Sequence, residues 1–142
     1  MVVPISKDLY LQCTLKILVA LFPDGKNIFY MQGSMGLAPC IGLGIARYCK
    51  RDVVVLSGDG ALLMHLGIIH TIQDENLSNL HVYVLDNGCH ESVGAYRCSD
   101  LGVQDIYPGI DKIYKISRDG KCARVGIDCI TNASNIKKIL DD

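Results

Sequence analysis

Two short apolar runs constrain this chain more than any other feature. Val53-Val54-Val55-Leu56 has three β-branched residues in a row and no polar alternation. Such a run has no wet face to offer, so it reads as a strand covered on both sides, as in a parallel sheet. Leu80–Leu85 is a second strand of the buried type. Between them, Ala61–Ile72 carries Leu62, Leu63, Leu66, Ile69 and Ile72 and reads as one apolar helix. Strand, helix and strand at this spacing make a parallel unit with a right-handed crossover.

The rest of the chain continues the alternation. Ile5–Phe22, with Ser6 as its N-cap, reads as a helix ended by Pro23-Asp24-Gly25. Asn27–Met31 reads as a short strand. Leu37–Lys50 reads as a tightly packed helix whose Gly42 and Gly44 let another backbone come close. A loop runs to about Pro108; Lys112–Ile116 and Arg124–Ile130 follow as strands, and Ala133–Leu140 as a last helix. The expected fold is α/β, a single three-layer domain with a mostly parallel sheet and helices on both faces. At 142 residues, without internal repeat, low-complexity tract or linker, residues 1–142 read as one domain.

Composition removes several function classes. Fourteen basic residues against fifteen acidic ones give a net charge of −1, so no field favours nucleic acid or an anionic membrane. The apolar runs are too short to span a bilayer. The opening MVVPISKDLY lacks a basic segment followed by an apolar one, so no secretory signal is read and the expectation is cytoplasmic. The seven cysteines are Cys13, Cys40, Cys49, Cys89, Cys98, Cys122 and Cys129. An odd count with no C-x-x-C pair argues against a disulfide framework or zinc ribbon, and they read as small packing residues.

In an open parallel sheet, ligands bind beyond the carboxyl ends of the strands. Ser57-Gly58-Asp59-Gly60 turns the chain after the first buried strand, and Asp86-Asn87-Gly88 closes the second. If the strands are neighbours, a carboxylate and an amide oxygen meet there, hard ligands suited to Mg²⁺ holding a phosphate. The amides after Gly60 open a helix, which favours an anion. Each triplet alone is an ordinary turn. The ordered set of strand, Gly-Asp-Gly, apolar helix, strand and Asp-Asn is far more specific. Gly42-x-Gly44 is no dinucleotide fingerprint, because Arg47 occupies the third glycine position.

GDGALLMHLGIIHTIQDENLSNLHVYVLDNG resembles the thiamine-diphosphate-binding motif, which runs from GDG to a terminal Asn-Asn. MQGSMGLAPCIGLGIAR resembles the GSMG segment of thiamine-diphosphate decarboxylases, and LDNGCHESVG is similar to the matching stretch of phosphonopyruvate decarboxylases and of sulfopyruvate decarboxylase β-subunits. The tail KCARVGIDCITNASNIKKIL resembles the end of such chains. The likeness is good over Gly33–Gly94 and looser elsewhere.

That resemblance implies roles by position. Asp59 and Asn87 would ligate Mg²⁺ through their side chains, and Cys89 through its backbone carbonyl. Ala61 would give its N–H to the diphosphate, with Gly58 and Gly60 beside it. The Gly33 carbonyl would accept from the cofactor's amino group, next to Ser34, and Met35 would be the apolar prop that bends the cofactor. Asp86 stands where the first Asn of the pair is commoner. The implied function is the cofactor-binding half of a 2-oxo-acid decarboxylase. HESVG favours phosphonopyruvate, with the sulfopyruvate β-subunit as the alternative. The implied partner is a pyrimidine-binding subunit carrying the activating glutamate, in a heteromer that by analogy is a tetramer of two chain types.

Two departures stand out. Gly94-Ala95-Tyr96-Arg97-Cys98 replaces the family's usual Gly-Gly-Gln-Pro-Thr-like run, and only Pro23–Gln32 bridges the first helix to GSMG, where the family has a longer segment. The second motivates a reading of another class, a non-catalytic remnant kept as an interaction module. His90 reads as a substrate-facing acid or hydrogen-bond donor, or else as a loop histidine shaping the pocket. Arg97 could meet an anionic phosphonate but is better read as a surface arginine. His65 and His70 read as packing or capping residues and Met64 as core; nothing singles out His81.

Overall fold

The computed structural model describes residues 9–13, for which the backbone alone is considered, with 28–31, 33–90, 94–99 and 109–116. It also describes Ile130, Thr131, Ala133, Ser134, Lys137 and Lys138, all helical. The elements in chain order are β1 (Leu9–Cys13), β2 (Ile28–Met31), α1 (Ala38–Tyr48), β3 (Val53–Gly58), α2 (Asp59–Met64), α3 (Ile68–Glu75), β4 (Leu80–Asp86), β5 (Cys89–His90), β6 (Tyr96–Arg97) and β7 (Lys112–Lys115).

Five strands form one sheet in the order β2-β1-β3-β4-β7, and every pairing in it is parallel. Val53, Val55, Leu80 and Val82 meet Ala38 and Ala46 of α1, Ala61 of α2 and Ile72 of α3 in the main core. Leu62 and Ile69 close on Val84 next to it. The three helices therefore cover one face of the sheet. On the other face Val54 and Leu56 are also buried, with Tyr83 and Leu85 packed against them. Burial of β3 on both sides is what a three-layer α/β arrangement requires.

Polar ties lock the layers together. The Asn79 side-chain N–H groups reach the carbonyls of Ala46, Cys49 and Arg51 at 3.0, 2.7 and 3.1 Å, joining the end of α1 to the start of β4. The exposed Arg47–Glu75 pair bridges α1 and α3 at 2.9 Å, and in that setting contributes at most about 1 kcal/mol.

Several local expectations need correction. Leu9–Cys13 is a strand, not part of a helix. A short apolar segment satisfies either period, and here pairing with β2 on one side and β3 on the other decides. The other residues of that expected helix lie outside the described ones. The expected helix over Ala61–Ile72 is two helices, α2 and α3, separated by a turn at His65–Gly67. Met64, read as core, is 55% exposed, because α2 ends there and presents its last residue outward. His65 and His70 are exposed as well. Residues 124–129 of an expected strand lie outside the described residues, and Ile130, its expected last residue, is helical.

The two glycines of α1 differ in kind. A Cβ on Gly42 would sit 2.4 Å from Val55 Cγ2, so the close approach is to a side chain of β3 rather than to backbone. Gly44 is exposed, and a Cβ there meets nothing within 4 Å. Gly42→Ala should therefore lower unfolding free energy by about 1–3 kcal/mol through overpacking. Gly44→Ala should raise it by about 0.5–1 kcal/mol through helix propensity. Urea midpoints of the two variants check the contrast.

Candidate functional site

The strand order reverses direction at the β1/β3 pair: the chain first adds β2 on one side of β1, then crosses to β3 on the other. Helices cannot close over such a point, and the carboxyl ends of the strands open a crevice there. The β3–β4 register pairs Gly58 with Leu85, so Asp59 and Asp86 leave the sheet side by side. Asp59 is not in a loop. It is the first residue of α2, which follows β3 without a connecting residue, and Gly58 gives no side-chain cap.

Asp59 is 3% exposed, and among the described residues its Oδ2 has no hydrogen-bond partner. Its carboxylate accepts a hydrogen bond from the Cys98 thiol. A buried carboxylate oxygen left unsatisfied costs free energy that folding alone does not explain.

The second strand ends in a different arrangement. Asp86 Oδ1 accepts from the Gly88 amide at 2.9 Å, and its Oδ2 pairs with Lys115 Nζ. Asn87 Oδ1 accepts from the Cys89 amide at 3.0 Å and from the Cys89 thiol at 3.3 Å. As a metal ligand, Asn87 would have to use its remaining lone-pair capacity or release Cys89. Among the described residues no group of three or more His, Cys, Asp or Glu forms a metal cluster. The candidate oxygen set is instead a carboxylate, an amide and a backbone carbonyl, which suits Mg²⁺ better than a softer metal.

The hairpin β5/β6 folds back over α2. It pairs Cys89 with Arg97 and His90 with Tyr96. The Gly88 carbonyl accepts from the Cys98 amide at 2.9 Å. A Cβ on Gly60 would lie 2.5 Å from His90 Nδ1 and 2.9 Å from Cys98 Sγ. Asp59, Gly60, His90 and Cys98 are thus one cluster, and only glycine fits at position 60. Arg97 and Tyr96 are exposed. Residues 91–93, the rest of HESV, lie outside the described residues.

The Gly33–Gly36 loop reaches the same helix. Gly36 has φ +90°, and a Cβ there would meet the Ala61 carbonyl and His65 Nδ1, each at 2.6 Å. Gly33, at φ +72°, is exposed with open space around it. The Ser34 carbonyl accepts from the Leu37 amide at 3.1 Å. Met35 is half-buried and packs on the main core.

The structure therefore gathers Gly33, Ser34 and Met35 on a loop docked to α2, with Gly58, Asp59, Gly60 and Ala61 at its start. Asn87, Cys89 and His90 form the adjoining rim. Two residues of the site carry no motif. Cys98 arrives through hairpin pairing and Lys115 through the β4–β7 register, neither of which leaves a spacing signal. His81 sits at the opposite, amino end of β4, 3.3 Å from Asp111, and plays no part here.

Burial first, then the neighbouring Asp59 carboxylate, push the Cys98 thiol up to about 12. It stays protonated at pH 8, and only the thiolate is a nucleophile. Iodoacetamide at pH 8 should modify the half-buried Cys49 well before Cys98, read by peptide mass spectrometry over time. Rapid labelling of Cys98 in the folded chain would contradict this placement.

Comparison with known proteins agrees with the arrangement. The profile of the C-terminal TPP-binding domain of thiamine pyrophosphate enzymes matches residues 17–139. The chain is 45% identical over 83 residues to the sulfopyruvate decarboxylase subunit beta of Methanothermobacter thermautotrophicus, covering 58% of this chain and 44% of that one. It is 49% identical over 74 residues to the phosphonopyruvate decarboxylase of Streptomyces viridochromogenes, covering 52% and 19%. It is 40% identical over 103 residues to the sulfopyruvate decarboxylase of Methanosarcina acetivorans, covering 68% and 27%. The chain spans less than half the length of each of these relatives. No helix among the described residues is long and apolar enough to cross a membrane. With a parallel sheet open at its carboxyl end and a profile match over most of its length, the chain belongs to the family of C-terminal TPP-binding domains of thiamine pyrophosphate enzymes.

Proposed function

We propose that this chain is the cofactor-binding half of a thiamine-diphosphate- and Mg²⁺-dependent decarboxylase of a small anionic 2-oxo acid, with phosphonopyruvate as the first substrate reading. The observation that carries it is the buried, unpartnered Oδ2 of Asp59, at the carboxyl end of β3 and beside the end of β4. Asp59 would supply the charged oxygen, with Asn87 and the Cys89 carbonyl completing the protein's share of the metal shell. Gly58, Gly60 and the Ala61 amide would receive the diphosphate. The cofactor, when bound, supplies the electron sink for loss of CO₂.

The remaining chain residues would position and exclude. The Gly33 carbonyl and Ser34 would face the bound cofactor, and Met35, packed on the core, would give it an apolar flank. His90, held against Gly60, stands where it could hold a proton near a substrate. The activating glutamate would come from a pyrimidine-binding partner chain. Relatives named as a "subunit beta", the Methanothermobacter protein among them, support a heteromer. Sulfopyruvate is the second substrate reading, favoured by those same relatives. Both substrates are small anionic 2-oxo acids, so one cofactor site serves either.

Two experiments test the proposal. Mixed with a candidate pyrimidine-domain partner, the chain should release CO₂ from phosphonopyruvate or sulfopyruvate, and the faster of the two identifies the substrate. The absence of any turnover, together with no calorimetric heat from thiamine diphosphate and Mg²⁺, would leave the interaction-module reading in its place. Asp59→Asn should weaken cofactor binding by more than the roughly 10–100-fold expected for loss of a supporting residue. The same substitution should leave the free chain as stable in urea or more so, because it removes an unsatisfied buried charge. A large loss of stability in the free chain would mark Asp59 as structural.

A further inference from the structure

Asp86 stands one residue before a candidate metal ligand, yet its carboxylate is fully engaged within the chain. It is 6% exposed, caps the Gly88 amide through Oδ1 and pairs with Lys115 through Oδ2. The strands reinforce the contact: Asp86 and Lys115 are register partners, and the Asp86 carbonyl accepts from the Ile116 amide at 2.9 Å. Gly88, at φ +71°, is gripped from both sides, its amide by Asp86 and its carbonyl by the Cys98 amide. We infer that Asp86 is a positioning residue for the Asn87–Cys89 loop, and that Lys115 is the cation that lets a buried carboxylate hold that place beside Asp59.

The electrostatics explain why the two residues belong together. Asp59 follows the last residue of β3 and Asp86 ends β4 at the same level, and both bear on the Cys98 thiol. A second buried negative charge next to the first is unfavourable unless a cation accompanies it. At a site meant for a diphosphate, an uncompensated carboxylate would also repel the ligand. Lys115 supplies the compensation from the solvent side, its own side chain 63% exposed. An asparagine at position 86 would keep the Oδ1 acceptor for Gly88 and would need no cation. Loss of the lysine is therefore tolerated beside an asparagine at position 86 and costly beside the aspartate.

The test is a double-mutant cycle in the 142-residue chain with K115M, D86N and D86N/K115M, and with D86A as a control. The readouts are amide exchange at Gly88 and Cys89 and calorimetric affinity for thiamine diphosphate with Mg²⁺. The affinity arm rests on the proposed cofactor site; the exchange arm does not. K115M should speed exchange at Gly88 and weaken affinity by about tenfold, the scale expected of a supporting residue. D86N/K115M should recover most of both losses, whereas D86A, which lacks the acceptor, should speed exchange whatever stands at 115. Unchanged exchange in K115M, or a double variant as impaired as K115M, overturns the inference. If the parent chain binds no cofactor, alone or mixed with a pyrimidine-domain partner, while exchange shows the rescue, the cofactor reading falls and the positioning role stands. Tight binding without any exchange coupling upholds the cofactor site and removes the positioning role.

Discussion

β3 is covered on both faces, and the rest of the molecule is arranged around that fact. A strand in such a position can satisfy its backbone only through its neighbours, here β1 and β4. Its side chains can be polar only where it ends. Ser57 is fully buried, and Asp59 is the first carboxylate after it, placed at the moment the chain leaves the sheet. The parallel register then brings the end of β4 level with the end of β3. The candidate site lies at a place where this core can tolerate polar atoms.

What gathers there is unequal in character. Asp86 is saturated by Gly88 and Lys115, and Asn87 Oδ1 is engaged by Cys89. Asp59 keeps an oxygen in reserve. Native chains satisfy nearly all buried polar groups, so a reserve of this kind points to a partner from outside the chain. Around it the packing leaves no slack: glycine at 60 admits His90 and Cys98, and glycine at 36 admits the Gly33–Gly36 loop to α2. The site is a small set of polar atoms whose positions are set by close backbone contacts.

Much of this is legible in the residues. The β-branched run at 53–55, the Gly-Asp-Gly after it and the Asp-Asn after Leu80–Leu85 locate the parallel sheet and its active end, because a doubly buried strand has a distinctive composition. Leu9–Cys13 passes for helix because five apolar-rich residues suit either period, and only its two flanking strands choose. Ala61–Ile72 looks continuous because its apolar spacing persists through the break at His65–Gly67. Gly42 and Gly44 look alike along the chain, yet one faces Val55 and the other faces water.

The order of residues is enough to establish the α/β class and the position of Asp59 at a strand end. Those are local matters, settled by which side chains can be buried and which turns the backbone can make. Which partner each group finds is a property of the folded chain alone. Lys115 on Asp86, Cys98 on Asp59 and His90 on Gly60 join residues distant in the chain through strand register and hairpin pairing. Register is set by long-range burial, and no local pattern encodes it.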